Sequence, residues 1–146
     1  MDKASLPQAI WSMKVPVYFG HCDPAGIVFT PTFFDLLHPV IERFFIDGLG
    51  IDYYSKETGM KVALGYGHAS CDFLKPVTMG DELDVAVMVE RIGATSYTLR
   101  LHGLLRGTEA VRARFVTVVM SLGAFRPQPI PPEIRGALEG YSARVG

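Results

Sequence analysis

The sequence predicts an α+β fold in which a curved antiparallel sheet wraps around one long and very apolar helix. Residues 30–47 carry apolar side chains over more than half of a helical circumference, so other elements must surround this helix. After residue 66 the pattern changes to a two-residue alternation, which continues through segments separated by short turns and is typical of antiparallel strands. One sheet covers only one side of such a helix. The uncovered apolar surface therefore predicts at least a homodimer.

Length and composition exclude several classes of protein. The 146 residues predict one domain spanning 1–146, and the 49% apolar content predicts a folded core. Fourteen basic and fifteen acidic residues give a net charge of −1 without a basic stripe, which argues against nucleic-acid binding. The longest apolar stretch, residues 33–46, is interrupted by charged side chains and predicts no membrane span. The first residues lack the pattern of a secretory signal, which predicts a cytoplasmic protein.

The first half of the chain predicts an arm, a strand and the long helix. Residues 1–13 are weakly patterned and predict an N-terminal arm, and the alternation at 15–19 predicts a short edge strand. Thr30 and Pro31 predict the cap and the first residue of the helix, because a hydroxyl accepts a free amide hydrogen and proline has none to donate. The interior Pro39 predicts a bend or a division into two pieces.

The second half predicts a meander of long strands. After an irregular stretch at 48–65, strands are expected at 67–76, 83–90, 97–102 and 110–125. Residues 126–146 predict a proline-rich tail with a short helix near 132–140. Cys22 and Cys71 are isolated in sequence, with no spacing typical of zinc, and predict two reduced thiols, with a disulfide between them as the alternative.

The segment His21 to Pro31 is the strongest functional signal. It places the carboxylate of Asp23 on a loop shaped by Pro24 and Gly26, shortly before the helix start. The amides of a helix start carry partial positive charge, and a carboxylate facing them suits the splitting of an activated acyl group. From the residues alone, a turn-forming role for Asp23 ahead of Pro24 is the stronger interpretation.

Two longer runs resemble a known family. The first is Tyr18-Phe19-Gly20-His21-Cys22-Asp23-Pro24-Ala25-Gly26-Ile27-Val28-Phe29, followed by a proline-started aromatic helix. The second is Phe73-Leu74-Lys75-Pro76-Val77, followed by Gly80-Asp81-Glu82-Leu83. Together they resemble the hotdog-fold acyl-CoA thioesterases of the 4-hydroxybenzoyl-CoA type. The resemblance implies a five-stranded antiparallel sheet around a central helix, homodimers or homotetramers, and active sites at the dimer interface.

The resemblance also implies roles for individual residues. The family's acidic residue corresponds to Asp23, as nucleophile or general base, and its carbonyl-polarising amide corresponds to Thr30. Gly26 corresponds to a position where the thioester lies close to the backbone, and its other interpretation is a turn residue with positive φ. The resemblance thereby shifts the interpretation of Asp23 from turn former to catalytic residue.

The remaining site candidates come from position in the predicted elements. Phe29 is a candidate wall of the acyl pocket, and His38 stands at the helix position that resembles an aspartate of the 4-hydroxybenzoyl enzymes. His38 is a candidate lining of the acyl pocket, and its alternative is a histidine that hydrogen-bonds backbone groups freed by Pro39. His68 is a candidate border of the site across the dimer interface, and its alternative is an exposed imidazole at a strand end. Arg91 is the candidate contact to coenzyme A, because Gly93-Ala94-Thr95 replaces the family's basic cluster.

The sequence therefore predicts a thioesterase that hydrolyses an acyl-CoA or aroyl-CoA to the free acid and CoA. It predicts no cofactor and no metal. The alternatives are a thioesterase for acyl carrier protein substrates, which the missing basic cluster favours, and a non-catalytic acyl-CoA-binding module that uses the same pocket.

Overall fold

A computed structural model of the chain describes residues 2–53 and 61–145. The centre of the predicted irregular stretch, residues 54–60, lies outside the described residues. The chain forms, in order, β1 (Trp11–Pro16), α1 (Thr32–Arg43), β2 (Ala63–Phe73), β3 (Glu82–Ile92), β4 (Ser96–Leu105), β5 (Thr108–Met120) and α2 (Pro132–Val145). No helix within the described ranges has the length and apolarity needed to cross a bilayer.

The strands form one antiparallel five-stranded sheet in the order β1-β3-β4-β5-β2. Strands β3, β4 and β5 are joined by short turns and lie side by side, so local hairpins build the centre of the sheet. β1 and β2 arrive from the N-terminal half and occupy the two edges. The predicted fold, a hotdog arrangement of helix and sheet, is confirmed.

Helix α1 packs its apolar face against the inner face of the sheet. Its buried side chains include Leu37 and Val40, and the helix continues as a wider π turn, Phe44–Gly48. The inner face of the sheet contributes alternate residues of three central strands, among them Val85, Val87, Leu99, Leu101, Ala113 and Phe115. Each valine, leucine or phenylalanine of this set contributes about 1.5–3 kcal/mol on leaving water, so this contact dominates stability. Pro39 lies inside an unbroken α-helix, and the predicted division into two pieces is not found.

Tertiary contacts move several predicted boundaries. β1 begins at Trp11 rather than at residue 15, because Trp11 pairs with Val87 of β3, and the arm is correspondingly shorter. α2 extends to Val145. The Tyr141 hydroxyl of this helix donates to the Val87 carbonyl at 2.6 Å and accepts the Trp11 amide at 2.9 Å, which docks α2 beside the end of β1.

A buried ionic cluster lies on the outer face of the sheet. His102 of β4 is 1% exposed, and its Nδ1 lies 2.5 Å from Glu109 Oε2. Arg112 Nε donates to Glu109 Oε1 at 2.9 Å. Burial alone would raise the pKa of Glu109, but the hydrogen bonds from Arg112 and His102 outweigh it and lower that pKa. The alternation in β4 indicates an outward-facing His102 and does not reveal this burial.

Candidate active site

The loop that carries Asp23 is held in place by backbone hydrogen bonds. The Asp23 amide donates to the Ile27 carbonyl at 2.9 Å, and the Gly26 amide donates to the Asp23 carbonyl at 2.9 Å. Gly26 has φ +84°, a conformation that glycine adopts without steric cost. The Val28 amide then donates to the Val77 carbonyl at 2.8 Å. This bond fixes the loop to the turn that joins β2 to β3.

The Asp23 carboxylate forms a turn and keeps one oxygen for other contacts. Its Oδ1 accepts the Ala25 amide at 2.8 Å, which is the turn-forming geometry considered for this residue. The side chain is half-buried. Within residues 2–53 and 61–145, Oδ2 makes no hydrogen bond. The turn therefore orients the carboxylate and leaves Oδ2 available.

Among the described residues, the helix start presents one amide without a hydrogen-bond acceptor. The amides of Thr32, Phe33 and Phe34 donate to carbonyls three residues back, at 2.8, 3.2 and 3.2 Å. Pro31, which has no amide hydrogen, occupies the cap position, and no side chain caps the helix. The predicted capping bond from the Thr30 hydroxyl is therefore absent, because carbonyls already satisfy the first amides. The Thr30 amide makes no hydrogen bond to any described residue.

A cavity of about 270 Å³ opens beside this amide. Thr30 lines it, together with an aromatic pair, Phe33 and Phe73, whose ring centroids are 5.1 Å apart. Lys75 contributes a cation to the lining. Asp23 lies on the loop before Thr30 but outside the lining of this cavity. The chain segments that form or adjoin this cavity carry exposed apolar side chains: Tyr18, Phe19, Ile27, Phe29, Phe73, Leu74 and Met79.

A second cavity, of about 430 Å³, lies further along α1. His38 lines it and meets Tyr66 of β2, with His38 Nδ1 and Tyr66 Oη 2.5 Å apart. Burial, together with Tyr53 and Glu42, raises the pKa of the Tyr66 phenol well above its ordinary value. The predicted His38 therefore lies in a cavity, and its partner Tyr66 was not a candidate from the sequence.

The other predicted site residues lie apart from both cavities. Phe29 is 54% exposed at the rim of the loop. His68 is exposed in the middle of edge strand β2, opposite Val116, rather than at a strand end. Arg91 is exposed near the far end of β3, roughly 30 Å along the strand from the turn that holds the loop. Within the described part of one protomer, Lys75 is the cation beside the helix start.

The remaining polar groups of the loop serve local structure. His21 Nδ1 accepts the Tyr18 amide at 2.9 Å, and Cys22 Sγ donates to the Tyr18 carbonyl at 3.7 Å. Cys22 and Cys71 are both free thiols. In the described part of the chain, no three His, Cys, Asp or Glu side chains are grouped to hold a metal ion.

The fold and the loop match a family of known proteins. A family model described as the thioesterase-like superfamily matches residues 17–138. This chain belongs to the thioesterase-like superfamily. The matched range contains the Asp23 loop, α1 and all strands except β1, so it covers both cavities of this thioesterase-like chain.

Individual relatives of the thioesterase-like chain agree with this assignment. A 1,4-dihydroxy-2-naphthoyl-CoA hydrolase from Nostoc punctiforme is 28% identical over 125 residues, covering 84% of this chain and 82% of the relative. A thioesterase superfamily protein from Jannaschia sp. CCS1 has a similar structure, with TM-score 0.82, 25% identity and coverage of 92% and 94%. A thioesterase from Thermus thermophilus, solved with coenzyme A and Zn, has TM-score 0.77, 24% identity and coverage of 93% and 96%.

Proposed function

We propose that this protein is an acyl-CoA thioesterase that hydrolyses an acyl-CoA or aroyl-CoA to the free acid and CoA. One observation carries the proposal: the Thr30 amide, which has no acceptor among the described residues, opens a helix directly after a loop that orients the Asp23 carboxylate. Membership of the thioesterase-like superfamily and the CoA thioester named for the Nostoc relative support this substrate class.

The Thr30 amide is proposed to bind the thioester carbonyl oxygen. Negative charge develops on that oxygen when the carbonyl carbon is attacked. The free N–H and the positive end of the α1 dipole then bind it more strongly than in the ground state. One such preorganised donor commonly contributes about 10²–10³-fold to the rate. The adjacent cavity supplies apolar walls through Phe33 and Phe73.

Asp23 is proposed to act as the nucleophile or as the general base that brings water to the thioester. In one route, Oδ2 attacks the carbonyl carbon and expels the CoA thiolate, and water hydrolyses the resulting anhydride. In the other route, the carboxylate removes a proton from water, which attacks the carbonyl carbon directly. Both routes end with the free acid, the CoA thiol and a regenerated carboxylate. Both routes need an Asp23 Oδ2 that makes no hydrogen bond within the protein. Among the described residues, Oδ2 makes none.

The site is proposed to be completed by a second copy of the chain. β2 is a long edge strand whose middle residues, Tyr66–Ala69, are exposed, and an exposed edge of this kind readily pairs with another strand. The apolar side chains around the Asp23 loop also lack cover in one protomer. We expect sedimentation equilibrium to give the mass of a dimer or a multiple of it. A fully active monomer would contradict this assembly.

Lys75 is proposed to bind a phosphate of coenzyme A at the mouth of the first cavity. It is exposed, lines the cavity with Thr30, and makes no ion pair with a described residue. We expect Lys75→Met to raise KM for an acyl-CoA about 3- to 5-fold and to leave kcat unchanged, as for loss of one exposed charge contact. Lys61→Met, at the opposite end of β2, is the matched control. Equal effects of the two substitutions on KM would show that Lys75 does not bind coenzyme A.

The function itself is tested by release of CoA from a panel of acyl-CoA and aroyl-CoA thioesters, measured with a thiol-trapping dye. We expect turnover of at least one CoA thioester. Turnover of acyl carrier protein thioesters alone would show that the substrates are acyl carrier protein thioesters and not CoA thioesters. Saturable binding of acyl-CoA without release would show a binding module instead of an enzyme.

A further inference from the structure

The turn between β2 and β3 carries an acidic side chain that the proposed hydrolysis does not use. Residues 78–81 form this turn, and the Asp81 amide closes it by donating to the Thr78 carbonyl at 3.1 Å. Gly80 has φ +87°, a conformation that glycine adopts without steric cost. The side chain of Asp81 is only 8% exposed. A carboxylate so far from water needs partners within the protein.

Both oxygens of the Asp81 carboxylate have such partners. Oδ2 accepts the Thr78 amide at 2.8 Å and the Thr78 hydroxyl at 3.1 Å. Oδ1 accepts a hydrogen from Arg106 Nη2 at 3.1 Å, so the carboxylate also contacts the turn between β4 and β5. The hydrogen bond from the Thr78 amide, assisted by the Thr78 hydroxyl and Arg106, lowers the pKa of Asp81. The ionised carboxylate therefore holds the turn in one shape.

This turn binds the chain that enters the Asp23 loop. The Val17 amide donates to the Asp81 carbonyl at 2.8 Å, and the Gly80 amide donates to the Val17 carbonyl at 2.8 Å. Val17 is 2% exposed, so the contact is anchored in the core. The position of the entering chain therefore follows the position of the turn.

The turn and the residue before it also bind the chain that leaves the loop. Ile27 forms an antiparallel bridge with Thr78, and the Ile27 carbonyl accepts the Asp23 amide at 2.9 Å. The Val28 amide donates to the Val77 carbonyl at 2.8 Å, and both residues line the first cavity. Residues 77–81 therefore hold the loop at both ends and fix its place beside that cavity.

We propose that Asp81 is a positioning residue, which holds the turn that fixes the Asp23 carboxylate relative to the Thr30 amide. The inference rests on the proposed thioesterase function and deepens it, because it names the group that orients the reacting side chain. Asp81 itself lies outside the lining of the first cavity. A reacting group displaced by about 1 Å can lose about 10²-fold in rate, so loosening the turn should lower kcat rather than weaken substrate binding.

The kinetic test compares Asp81→Ala with Asp81→Asn on a CoA thioester that wild type hydrolyses. Asp81→Ala removes both oxygens and is expected to lower kcat about 10- to 100-fold, with KM within about 3-fold of wild type. Asp81→Asn keeps one oxygen that accepts the Thr78 amide and hydroxyl, so its kcat should stay within about 5-fold. Arg106→Ala removes only the exposed partner of Oδ1 and should change kcat less than about 2-fold.

Two kinetic results would overturn the inference. The first is a kcat for Asp81→Ala within about 3-fold of wild type. The second is an equal loss of kcat in Asp81→Ala and Asp81→Asn, because the hydrogen bonds to Thr78 would then not be what matters.

Amide hydrogen exchange separates positioning from a general loss of stability. In Asp81→Ala, the amides of Asp23 and Val28 should exchange at least about 10-fold faster than in wild type. The amides of Leu37 and Val40, in the buried face of α1, should change less than about 3-fold. Equal acceleration of both groups, or a lower kcat without faster exchange in the loop, would show that Asp81 does not position Asp23.

The outcomes distinguish the two proposals. Turnover by wild type together with an unimpaired Asp81→Ala overturns the role of Asp81 and leaves the thioesterase in place. Release of CoA from none of the thioesters by wild type overturns the proposed function, and with it any catalytic consequence of the Asp81 contacts. The exchange measurement needs no substrate, so it reports in either case whether Asp81 holds the loop.

Discussion

Asp23→Asn is expected to lower kcat for CoA release by about 10³-fold while the protein stays folded. The asparagine side chain keeps an Oδ1 that accepts the Ala25 amide, so the turn seen at 2.8 Å is retained. It loses the negative charge and the basic oxygen that either proposed route needs. The measurement is kcat from the thiol-trapping assay, with thermal unfolding compared in parallel.

A matched control for this substitution is Asp47→Asn. Asp47 is exposed near the end of the long helix and pairs with Arg43 at 2.8 Å, away from the Asp23 loop. Its replacement removes the same charge and should change kcat less than about 2-fold. If Asp23→Asn retains more than about a tenth of wild-type kcat, Asp23 is not the group that attacks or activates water.

Glu109→Gln is expected to destabilise the fold by about 3–5 kcal/mol. The side chain of Glu109 is 2% exposed, and it joins His102, 1% exposed, to Arg112. Removing its charge leaves those two groups on the outer face of the sheet without their anionic partner. Urea unfolding gives the free energy of unfolding directly.

The control for Glu109 is Glu90→Gln. Glu90 lies on the same face and binds Arg114 at 2.7 Å, but its side chain is 31% exposed. Water replaces the lost contact there, so a loss below about 1 kcal/mol is expected. Equal losses at the two positions would show that burial of the Glu109 cluster does not determine its contribution.

The Glu109 cluster also predicts a pH dependence. Since its hydrogen bonds lower the pKa of Glu109 in the folded state, the unfolded chain binds the proton more readily. The cluster's contribution to the free energy of unfolding is therefore complete at pH values above the ordinary pKa of glutamate. It is lost as the pH falls through and below about 4. The free energy of unfolding of wild type should fall more steeply below about pH 5 than that of Glu109→Gln.

Most of the fold follows from patterns that act over short stretches of chain. Two-residue alternation and short turns specify β3, β4 and β5, and the wide apolar face of α1 specifies a helix that must be surrounded. The Asp23 loop is equally local. Its proline, its glycine at φ +84° and its side-chain bond to Ala25 lie within a few residues of each other. The sequence therefore predicts the loop directly and the helix start to within one residue, since the cap is Pro31 rather than Thr30.

The second cavity depended on the tertiary structure. A bulge at Gly67 shifts the register of β2 between Tyr66 and His68. Simple alternation would place Tyr66 and Ala69 on opposite faces, whereas the bulge lets both line the cavity beside His38. The local sequence of β2 does not indicate that pairing with β5 requires an extra residue at this point.

By itself the sequence determined most elements and the position of Asp23 before the helix, because hydrophobic periodicity and turn chemistry are properties of neighbouring residues. The family was indicated by the resemblance of two motif runs. Only the tertiary structure decided that Tyr66 binds His38, that Glu109 and His102 are buried together, and that Lys75 rather than Arg91 lies beside Thr30. The first and third of these contacts join residues far apart in the chain, and the geometry of all three depends on strand register and on what covers each face. Strand register and the cover of each face are set only when the whole chain is packed.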